Sequence, residues 1–250
     1  KSNLFWKLYT LPLKIMYSAF QIRNDNDIYL ANSFFTKNKT LKHYDLNPND
    51  VSVMYPPAVN GDMEWGEIGR AQKVVTLGSF NPNKRQLDQL KIANQLPELQ
   101  FEIIGRKKSE AYYKKCQYYV KRQNLDNISF YPNLEYNQMQ KKLAKAKFFL
   151  HTMRNEPFGI TSVEAIAKGC IPLVHNSGGQ VEIVPTRKLR FNDINEALER
   201  FEELLKMDFE YLDKERERLQ KNLQRYTIAN FRSQFLSTFE QMASSNEVLE

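Results

Sequence analysis

Short apolar runs alternate with longer segments of helical periodicity through the middle of the chain. The apolar runs predict strands at residues 74–77, 101–104, 128–131, 148–151 and 171–175. The segments between them predict helices at residues 86–95, 110–123, 136–146 and 161–168, with a shorter one at 180–184. Strands that alternate with helices of about ten residues indicate an α/β fold with a doubly wound parallel sheet. Ligands of such sheets bind at the carboxyl ends of the strands, so the loops there are the candidate sites.

The segments that flank this region are predicted to be mostly helical. Helices are expected at residues 3–22, 34–44, 193–206, 208–224 and 228–243, with strands at 28–30 and 51–55 and an exposed loop at 58–70. Asn32 and Ser33 are suited to cap the second of these helices. Pro56 and Pro57 form a stiff, extended connector, where we place a domain boundary. The last helix carries an apolar stripe that we expect to pack on the core, formed by Phe231, Phe235, Leu236 and Phe239.

Composition adds only broad limits. A length of 250 residues allows one large domain or two small ones. Cys116 and Cys170 are far apart and show no CxxC spacing, so neither a zinc site nor a disulfide scaffold is indicated, and a reducing compartment is the default. Nothing resembles a signal peptide, and the longest charge-free run of the first segment, residues 15–22, is far too short to span a bilayer.

Charge is the feature that points to a partner. The formal net charge is +7, which favours an anionic partner without specifying its kind. The first segment has four basic residues before its first acid, Asp25, so its helix suits either packing on a further domain or an anionic membrane surface. A second basic cluster runs from Arg106 to Arg122, opposed only by Glu110, and a solvated helix face is favoured over anionic lipid. Nucleic acid is not expected, because the tyrosines of this cluster have the helical spacing of core contacts; they are Tyr112, Tyr113, Tyr118 and Tyr119.

The stretch from Asn155 to Val174 carries the strongest chemical signal. Glu156 lies in a loop with proline and glycine, and Glu164 follows eight residues later inside a short predicted helix. The start of a helix presents free backbone N–H groups and favours anions, whereas carboxylates suit hydroxyl groups. A ligand with a phosphate and polyols, such as a nucleotide-sugar, fits both features. A glycosidase-type pair of catalytic carboxylates is the less favoured interpretation.

Lys84 is a candidate phosphate ligand. It ends the loop that begins at Gly78, and it precedes a predicted helix, so its ammonium group and the free helix amides can meet one anion. The loop is neither a Walker A motif nor GxGxxG, and a solvated lysine is the alternative.

The histidines are weaker candidates. His151 and His175 both end strands at the same edge, but neither has an obvious acidic partner in the sequence. Loop packing or hydrogen bonding is favoured for both over a role as general base. No HExxH motif or acidic metal loop is present in the sequence, so no metal is expected.

Taken together, these residues resemble the retaining glycosyltransferases of the GT-B type, family 4. Glu156 to Glu164 matches the E-x7-E signature of that family, and Gly78 to Lys84 matches its G-x-x-x-x-x-K element. Further resemblance lies in Asn32-Ser33 with the Phe-Phe-Thr that follows, in 53–57, and in the 175–179 loop, which is similar to that of dolichyl-pyrophosphate-oligosaccharide α-1,2-mannosyltransferases.

The resemblance implies two Rossmann-like domains with the active site between them. Residues 1–50 would be the end of a truncated acceptor domain, 51–225 the nucleotide-sugar-binding domain, and 226–250 a C-terminal helix. The chain alone is then expected to be inactive.

The resemblance also implies roles for individual residues. Lys84 would hold the diphosphate, and Glu156 would hydrogen-bond the sugar; these two are the catalytic candidates. Glu164 would accept hydrogen bonds from the ribose. The remaining donor contacts would come from Gly78 and Gly105, with loops at Arg106 and 131–133 framing the base, and from the backbone N–H groups of Phe158, Gly159 and Ile160. Two departures weaken parts of this assignment, since Ser79 stands where many relatives have arginine and Pro132 where many have glycine.

The implied reaction is transfer of a hexose with retention of configuration. The donor would be GDP-mannose, or otherwise a UDP-sugar, with no metal or further cofactor, and the acceptor a lipid-linked or other glycan. The enzyme would be cytoplasmic and peripheral on the cytoplasmic face of a membrane. Two alternatives stay open: a catalytically silent nucleotide-sugar-binding module and a soluble transferase of the glycogen or sucrose type.

Overall fold

The computed structural model describes residues 28–60 and 70–247, and the side chains to residue 240. The predicted helix at 3–22 and most of the predicted loop at 58–70 lie outside these residues.

The core of the fold is a parallel sheet of six strands. Two further strands, β1 and β2, form a small sheet of their own. The strands are β1 (Tyr29–Ala31), β2 (Val51–Val53), β3 (Ala71–Leu77), β4 (Gln100–Gly105), β5 (Ile128–Pro132), β6 (Ala146–His151), β7 (Ile171–His175) and β8 (Arg190–Phe191). The order in the large sheet is β5-β4-β3-β6-β7-β8, with every pair parallel. The chain order therefore reverses between β3 and β6, and this switch point is where a doubly wound sheet opens a ligand crevice.

Helices connect the strands and cover both faces of the sheet. They are α1 (Phe34–Tyr44), α2 (Gln86–Gln95), α3 (Glu110–Arg122), α4 (Tyr136–Lys145), α5 (Ile160–Ala167), α6 (Gln180–Ile183), α7 (Ile194–Lys206), α8 (Phe209–Asn222) and α9 (Ile228–Glu247). Short 3₁₀ turns lie at Pro48–Asp50, Pro82–Lys84, Arg187–Leu189 and Leu223–Tyr226.

Side chains that alternate along the strands enter different layers of the core. Val74 and Phe148 belong to the large apolar cluster that includes Phe201 of α7. The next residue in each strand, Val75 and Phe149, packs instead in the cluster that includes Leu143 of α4. Both faces of the sheet are thus buried in apolar packing, which explains why these strands appear in the sequence as continuous apolar runs. The predicted doubly wound α/β fold is confirmed.

Residues 28–60 form a small unit beside the large sheet. β1 pairs in parallel with β2, and α1 connects them. Helix α1 begins where predicted because the Ser33 side chain accepts a hydrogen bond from the Thr36 amide at 3.0 Å. A two-stranded sheet is marginal by itself, so this unit depends on its contacts with the rest of the chain. The division at residues 50 and 225 stays a prediction.

One strand was missed, and two expectations about individual elements are wrong. Strand β8 was not predicted, because it has only two residues, one of which is Arg190. Tyr118 of α3 is 63% exposed, whereas Tyr112 and Tyr113 are buried as expected.

The second wrong expectation concerns the apolar stripe of α9, which does not pack on the core in the described part of the chain. Phe235, Leu236 and Phe239 are each about half exposed or more, at 48%, 48% and 61%. The physical reason is that α9 starts only after Tyr226. The buried ring of Tyr226 is the last side chain of the core cluster along the chain, so the helix runs beyond the core.

Candidate functional site

An ion pair marks the switch point of the sheet. Lys84 follows β3 and Glu156 follows β6, and Lys84 Nζ lies 2.5 Å from Glu156 Oε2. The Lys84 main chain is held as well, since its carbonyl accepts a hydrogen bond from Thr152 Oγ1 at 2.9 Å. The lysine stem passes over Gly78, where a Cβ would stand 3.4 Å from its methylene groups. The structure therefore brings together the two side chains expected to contact phosphate and sugar.

Burial and hydrogen bonding act in opposite directions on Glu156. Burial raises the pKa of its carboxyl, but hydrogen bonds and charge from His151 and Lys84 outweigh that effect and hold the pKa at about 2. Burial lowers the pKa of His151, so the cation that keeps Glu156 ionised at neutral pH is Lys84. The site thus presents a carboxylate with one lysine partner, ready to accept hydrogen bonds.

His151 has a partner that was not predicted from the sequence. Its Nε2 lies 3.4 Å from Glu156 Oε2, so the expectation that it lacks an acidic partner is wrong. Its other ring nitrogen, Nδ1, lies 2.6 Å from Gln180 Nε2, and Gln180 Oε1 accepts a hydrogen bond from Ser162 Oγ at 2.7 Å. Because Gln180 then donates to Nδ1, the imidazole proton is placed on Nε2, facing the carboxylate. His151 and Glu156 are only five residues apart, which was the available signal.

Close backbone packing fixes the loop that carries Glu156. The amide of Gly179 donates to the Glu156 carbonyl at 2.8 Å. A Cβ at Gly178 would lie 2.3 Å from that same carbonyl oxygen, and one at Gly179 would lie 2.5 Å from the carbonyl oxygen of Pro157. Only glycines allow the turn after β7 to approach this closely. The backbone position of Glu156 is thus set by the predicted 175–179 loop.

Helix α5 begins directly after this loop with free amides. Gly159 caps the helix with a φ of 112° and makes no side-chain hydrogen bond. No described residue accepts a hydrogen bond from the amides of Phe158, Gly159 or Ile160, and such groups favour an anion. The Phe158 side chain points the other way, into an aromatic cluster with Tyr55 and Tyr226. Phe158 therefore can contribute its backbone, as expected, while its ring belongs to the core.

Glu164 lies one turn into α5 and is half-buried. Burial raises the pKa of its carboxyl, and no side chain in the described residues pairs with it. It shares a helix face with Thr161, three residues earlier, which lines a neighbouring cavity. Glu164 itself is not part of the cavity wall. A carboxylate in this position is suited to hydroxyl donors from a ligand in the cavity.

This cavity has a volume of about 460 Å³ and opens at the carboxyl ends of β3, β4 and β5. Its wall includes Gly78, Gly105, Arg106, Asn133 and Thr161. Gly105 is required by packing, because a Cβ there would lie 1.9 Å from the Gly78 carbonyl oxygen. The Asn133 amide donates to the Gly105 carbonyl at 3.0 Å, which joins the two loops predicted to frame a base. Ser79, also in the wall, accepts a hydrogen bond from Asn81 Nδ2 at 2.8 Å.

His175 lies apart from the ion pair, in the wall of a second cavity of about 350 Å³ with Arg85, Arg154 and Asn192. Both of its ring nitrogens are occupied, by Ser177 Oγ at 2.8 Å and by the Asn192 carbonyl at 3.1 Å. Burial lowers its pKa. A hydrogen-bonding role in the loop, as expected from the sequence, accounts for these contacts.

The described residues offer neither a metal-binding cluster nor a membrane-spanning helix. No group of three or more His, Cys, Asp or Glu side chains among them is arranged to hold a metal ion. None of the helices in the described ranges is both long and apolar enough to cross a membrane.

A family comparison identifies the family to which this fold belongs. Residues 64–226 match the model of the glycosyl transferases group 1 family, which is more than half of the chain. The chain therefore belongs to this family.

The curated relatives include enzymes named GDP-Man:Man(3)GlcNAc(2)-PP-Dol alpha-1,2-mannosyltransferase. The mouse protein is 30% identical over 173 residues, covering 62% of this chain and 35% of its own length. The Candida albicans protein is 31% identical, covering 61% of this chain and 29% of its own. The human protein is 26% identical, covering 87% and 49%. The chain thus spans half or less of these relatives.

Solved structures show the same fold at low sequence identity. Anabaena HepE, solved with UDP and glucose, has a TM-score of 0.75 and 16% identity, covering 86% of this chain and 63% of its own. Sucrose-phosphate synthase from Thermosynechococcus elongatus has a TM-score of 0.78 and 16% identity, covering 94% and 62%. The similarity establishes the GT-B type of fold.

Proposed function

We propose that this chain is the donor-binding part of a retaining glycosyltransferase that transfers mannose from GDP-mannose to a lipid-linked oligosaccharide. The observation that carries the proposal is the Lys84–Glu156 pair, which lies at the switch point of the sheet beside the free amides of α5. The names of the curated relatives support GDP-mannose over a UDP-sugar and a dolichol-linked acceptor over other glycans.

The geometry supports one orientation of the donor. The nucleoside enters the cavity bounded by Gly105, Asn133 and Thr161, where Glu164 accepts hydrogen bonds from the ribose. The diphosphate meets Lys84 and the amides at the start of α5. The hexose lies against Glu156, whose low pKa keeps it an acceptor for sugar hydroxyls.

The chemistry follows from where charge develops. The bond between the anomeric carbon and the diphosphate oxygen breaks, and its electron pair leaves with the diphosphate. The acceptor oxygen forms the new glycosidic bond, and its proton passes to the departing diphosphate oxygen. Negative charge accumulates on the leaving diphosphate, where Lys84 and the dipole of α5 stabilise it. We propose that no metal or further cofactor takes part.

A thermal-shift panel of nucleoside diphosphates and their sugar conjugates tests the donor assignment. GDP and GDP-mannose are expected to raise the melting temperature, with UDP less effective. Lys84→Ala and Glu164→Ala are expected to remove the protection, whereas Lys206→Ala, on the exposed end of α7, leaves it intact. Equal protection of wild type and Lys84→Ala would contradict the proposal.

The same fold is compatible with a silent nucleotide-sugar-binding module and with a soluble transferase of the sucrose type. Hydrolysis of the donor by the full-length protein would exclude the silent module, because a silent module hydrolyses no donor. Transfer to a lipid-linked oligosaccharide rather than to a free sugar would exclude the soluble transferase of the sucrose type.

We also propose that the protein is peripheral on the cytoplasmic face of a membrane, bound to anionic lipid. The supporting feature is α3, where Lys114, Lys115, Lys121 and Arg122 are all exposed. The only acid of this helix is Glu110, so its solvent face is strongly basic. An acceptor attached to a lipid is held at the bilayer, so the enzyme must reach the membrane surface, and a basic helix face is attracted to anionic lipid there.

A further inference from the structure

The start of α1 touches the loop that carries Glu156. Ser33 is fully buried, and its hydroxyl donates to the Pro157 carbonyl at 2.5 Å. Ser33 Oγ also accepts a hydrogen bond from the Thr36 amide and so caps α1. Ser33 and Pro157 are 124 residues apart, so this bond joins the 28–60 unit to the loop between β6 and α5. Thr36 Oγ1 donates a longer bond to the same carbonyl, at 3.4 Å.

A carboxylate holds α1 in the position from which Ser33 makes this bond. Glu182 of α6 accepts hydrogen bonds from the amides of Phe34 and Phe35, both at 3.1 Å. It also accepts from the Tyr55 hydroxyl at 2.8 Å. A negative charge at a helix start is stabilising, so α1 is fixed against the large domain by charge as well as by hydrogen bonds.

The Glu156 loop is therefore held from two sides. Gly178 and Gly179 pack against the backbone of Glu156 and Pro157 from the turn after β7. Ser33 binds the Pro157 carbonyl from a separate part of the chain. Removing the Ser33 hydroxyl leaves this carbonyl with only the longer bond from Thr36, so the loop is held less tightly. A shift of a fraction of an ångström in a positioning contact is enough to weaken ligand recognition.

We propose that Ser33 is a positioning residue that sets the Glu156 carboxylate for the hexose of the donor. This inference rests on the proposed function. Of the proposed nucleotide contacts, the Phe158 amide shares a peptide group with the Pro157 carbonyl, whereas Lys84, Glu164 and the cavity wall lie farther from Ser33. We therefore expect Ser33 to affect recognition of the sugar more than recognition of the nucleotide.

Calorimetric titration of the 250-residue chain with GDP and with GDP-mannose tests the inference. Ser33→Ala is expected to weaken GDP-mannose binding by about three- to tenfold, the effect of one hydrogen bond, and GDP binding by less than about twofold. Ser33→Gly is expected to do the same, and because glycine is a tolerated cap it preserves α1 if the alanine variant does not fold.

Ser109→Ala is the matched control. Ser109 caps α3 by accepting the Tyr112 amide, as Ser33 caps α1, but it has no contact with the Glu156 loop. Its variant is expected to lose some stability while keeping the wild-type ratio of the two affinities. If the ratio of GDP-mannose affinity to GDP affinity is unchanged in both Ser33 variants, the inference is overturned, but the proposed nucleotide site is not. Absence of GDP binding by the wild type overturns the proposed function and the inference with it.

Discussion

At the scale of single residues, the charge on Glu156 gives the site a measurable pH dependence. The carboxyl faces Lys84 and His151, and its pKa is about 2 in the folded chain against an ordinary value of 4.5. A depressed pKa contributes stability that is complete above pH 4.5 and is lost as the pH falls towards 2. Each unit corresponds to about 1.4 kcal/mol, so we expect the advantage of wild type over Glu156→Gln to shrink by about 2 kcal/mol between pH 6 and pH 3.

Urea unfolding across this pH range measures the change. Glu210→Gln serves as the control, because Glu210 pairs with Lys214 in solvent and its side chain is 77% exposed. Exposed pairs contribute little, so its stability difference should stay nearly constant with pH. A difference for Glu156→Gln that stays equally constant would show that the carboxylate is not held by Lys84.

At the scale of elements, the close approach of β3 and β4 at their carboxyl ends sets the floor of the cavity. Gly105→Ala would place a Cβ 1.9 Å from the Gly78 carbonyl oxygen, which forces the two strands apart. We expect it to lower the free energy of unfolding by about 1 to 3 kcal/mol and to weaken binding of GDP. Denaturant unfolding and titration with GDP measure the two effects.

The matched variant is Gly78→Ala, at the residue that directly follows β3 on the other side of the same junction. Its Cβ would meet only the flexible methylene groups of Lys84, at 3.4 Å, so a cost within about 1 kcal/mol is expected. If the two alanine variants were equally stable, the strand ends would have to lie farther apart than the structure shows.

The elements also show what the sequence can and cannot predict. α1 and β7 have the predicted bounds, because a capping serine and a run of four apolar residues leave a strong local signal. β8 was missed because its two residues depend on pairing with β7 rather than on their own pattern. The stripe on α9 predicted an amphipathic helix correctly, but periodicity alone does not identify the surface that such a helix contacts.

The candidate site divides in the same way. Lys84 and Glu156 were predicted from local motifs, and their meeting follows from the topology, since loops after β3 and β6 share the switch point. The contacts of Ser33 and Gln180 were not predicted, because they depend on packing between segments 124 and 29 residues apart. Long-range hydrogen bonds of single side chains leave no periodic trace in a sequence.

At the scale of the whole molecule, the distribution of charge matters more than the net value of +7. α3 has four basic residues and one acid, whereas α8 has four of each. Anionic lipid attracts clustered cations that lack acidic neighbours, at roughly 1 kcal/mol for each residue near the surface. We therefore expect the chain to sediment with vesicles containing phosphatidylserine, and charge reversal on α3 to abolish this binding. The variant combines Lys114→Glu, Lys115→Glu, Lys121→Glu and Arg122→Glu.

A second variant with the same change in net charge tests whether vesicle binding depends on the α3 surface or only on the overall charge of the chain. It reverses four exposed cations on α8 and the adjoining end of α7: Lys206→Glu, Lys214→Glu, Arg218→Glu and Lys221→Glu. Binding to the vesicles should survive in this variant, since its cations lie among acids such as Glu210 and Glu215. Equal loss in both variants would mean that only the overall charge acts, and that α3 does not form a membrane-binding surface. Salt at several times the physiological level should release the wild type, because screening weakens exposed charges.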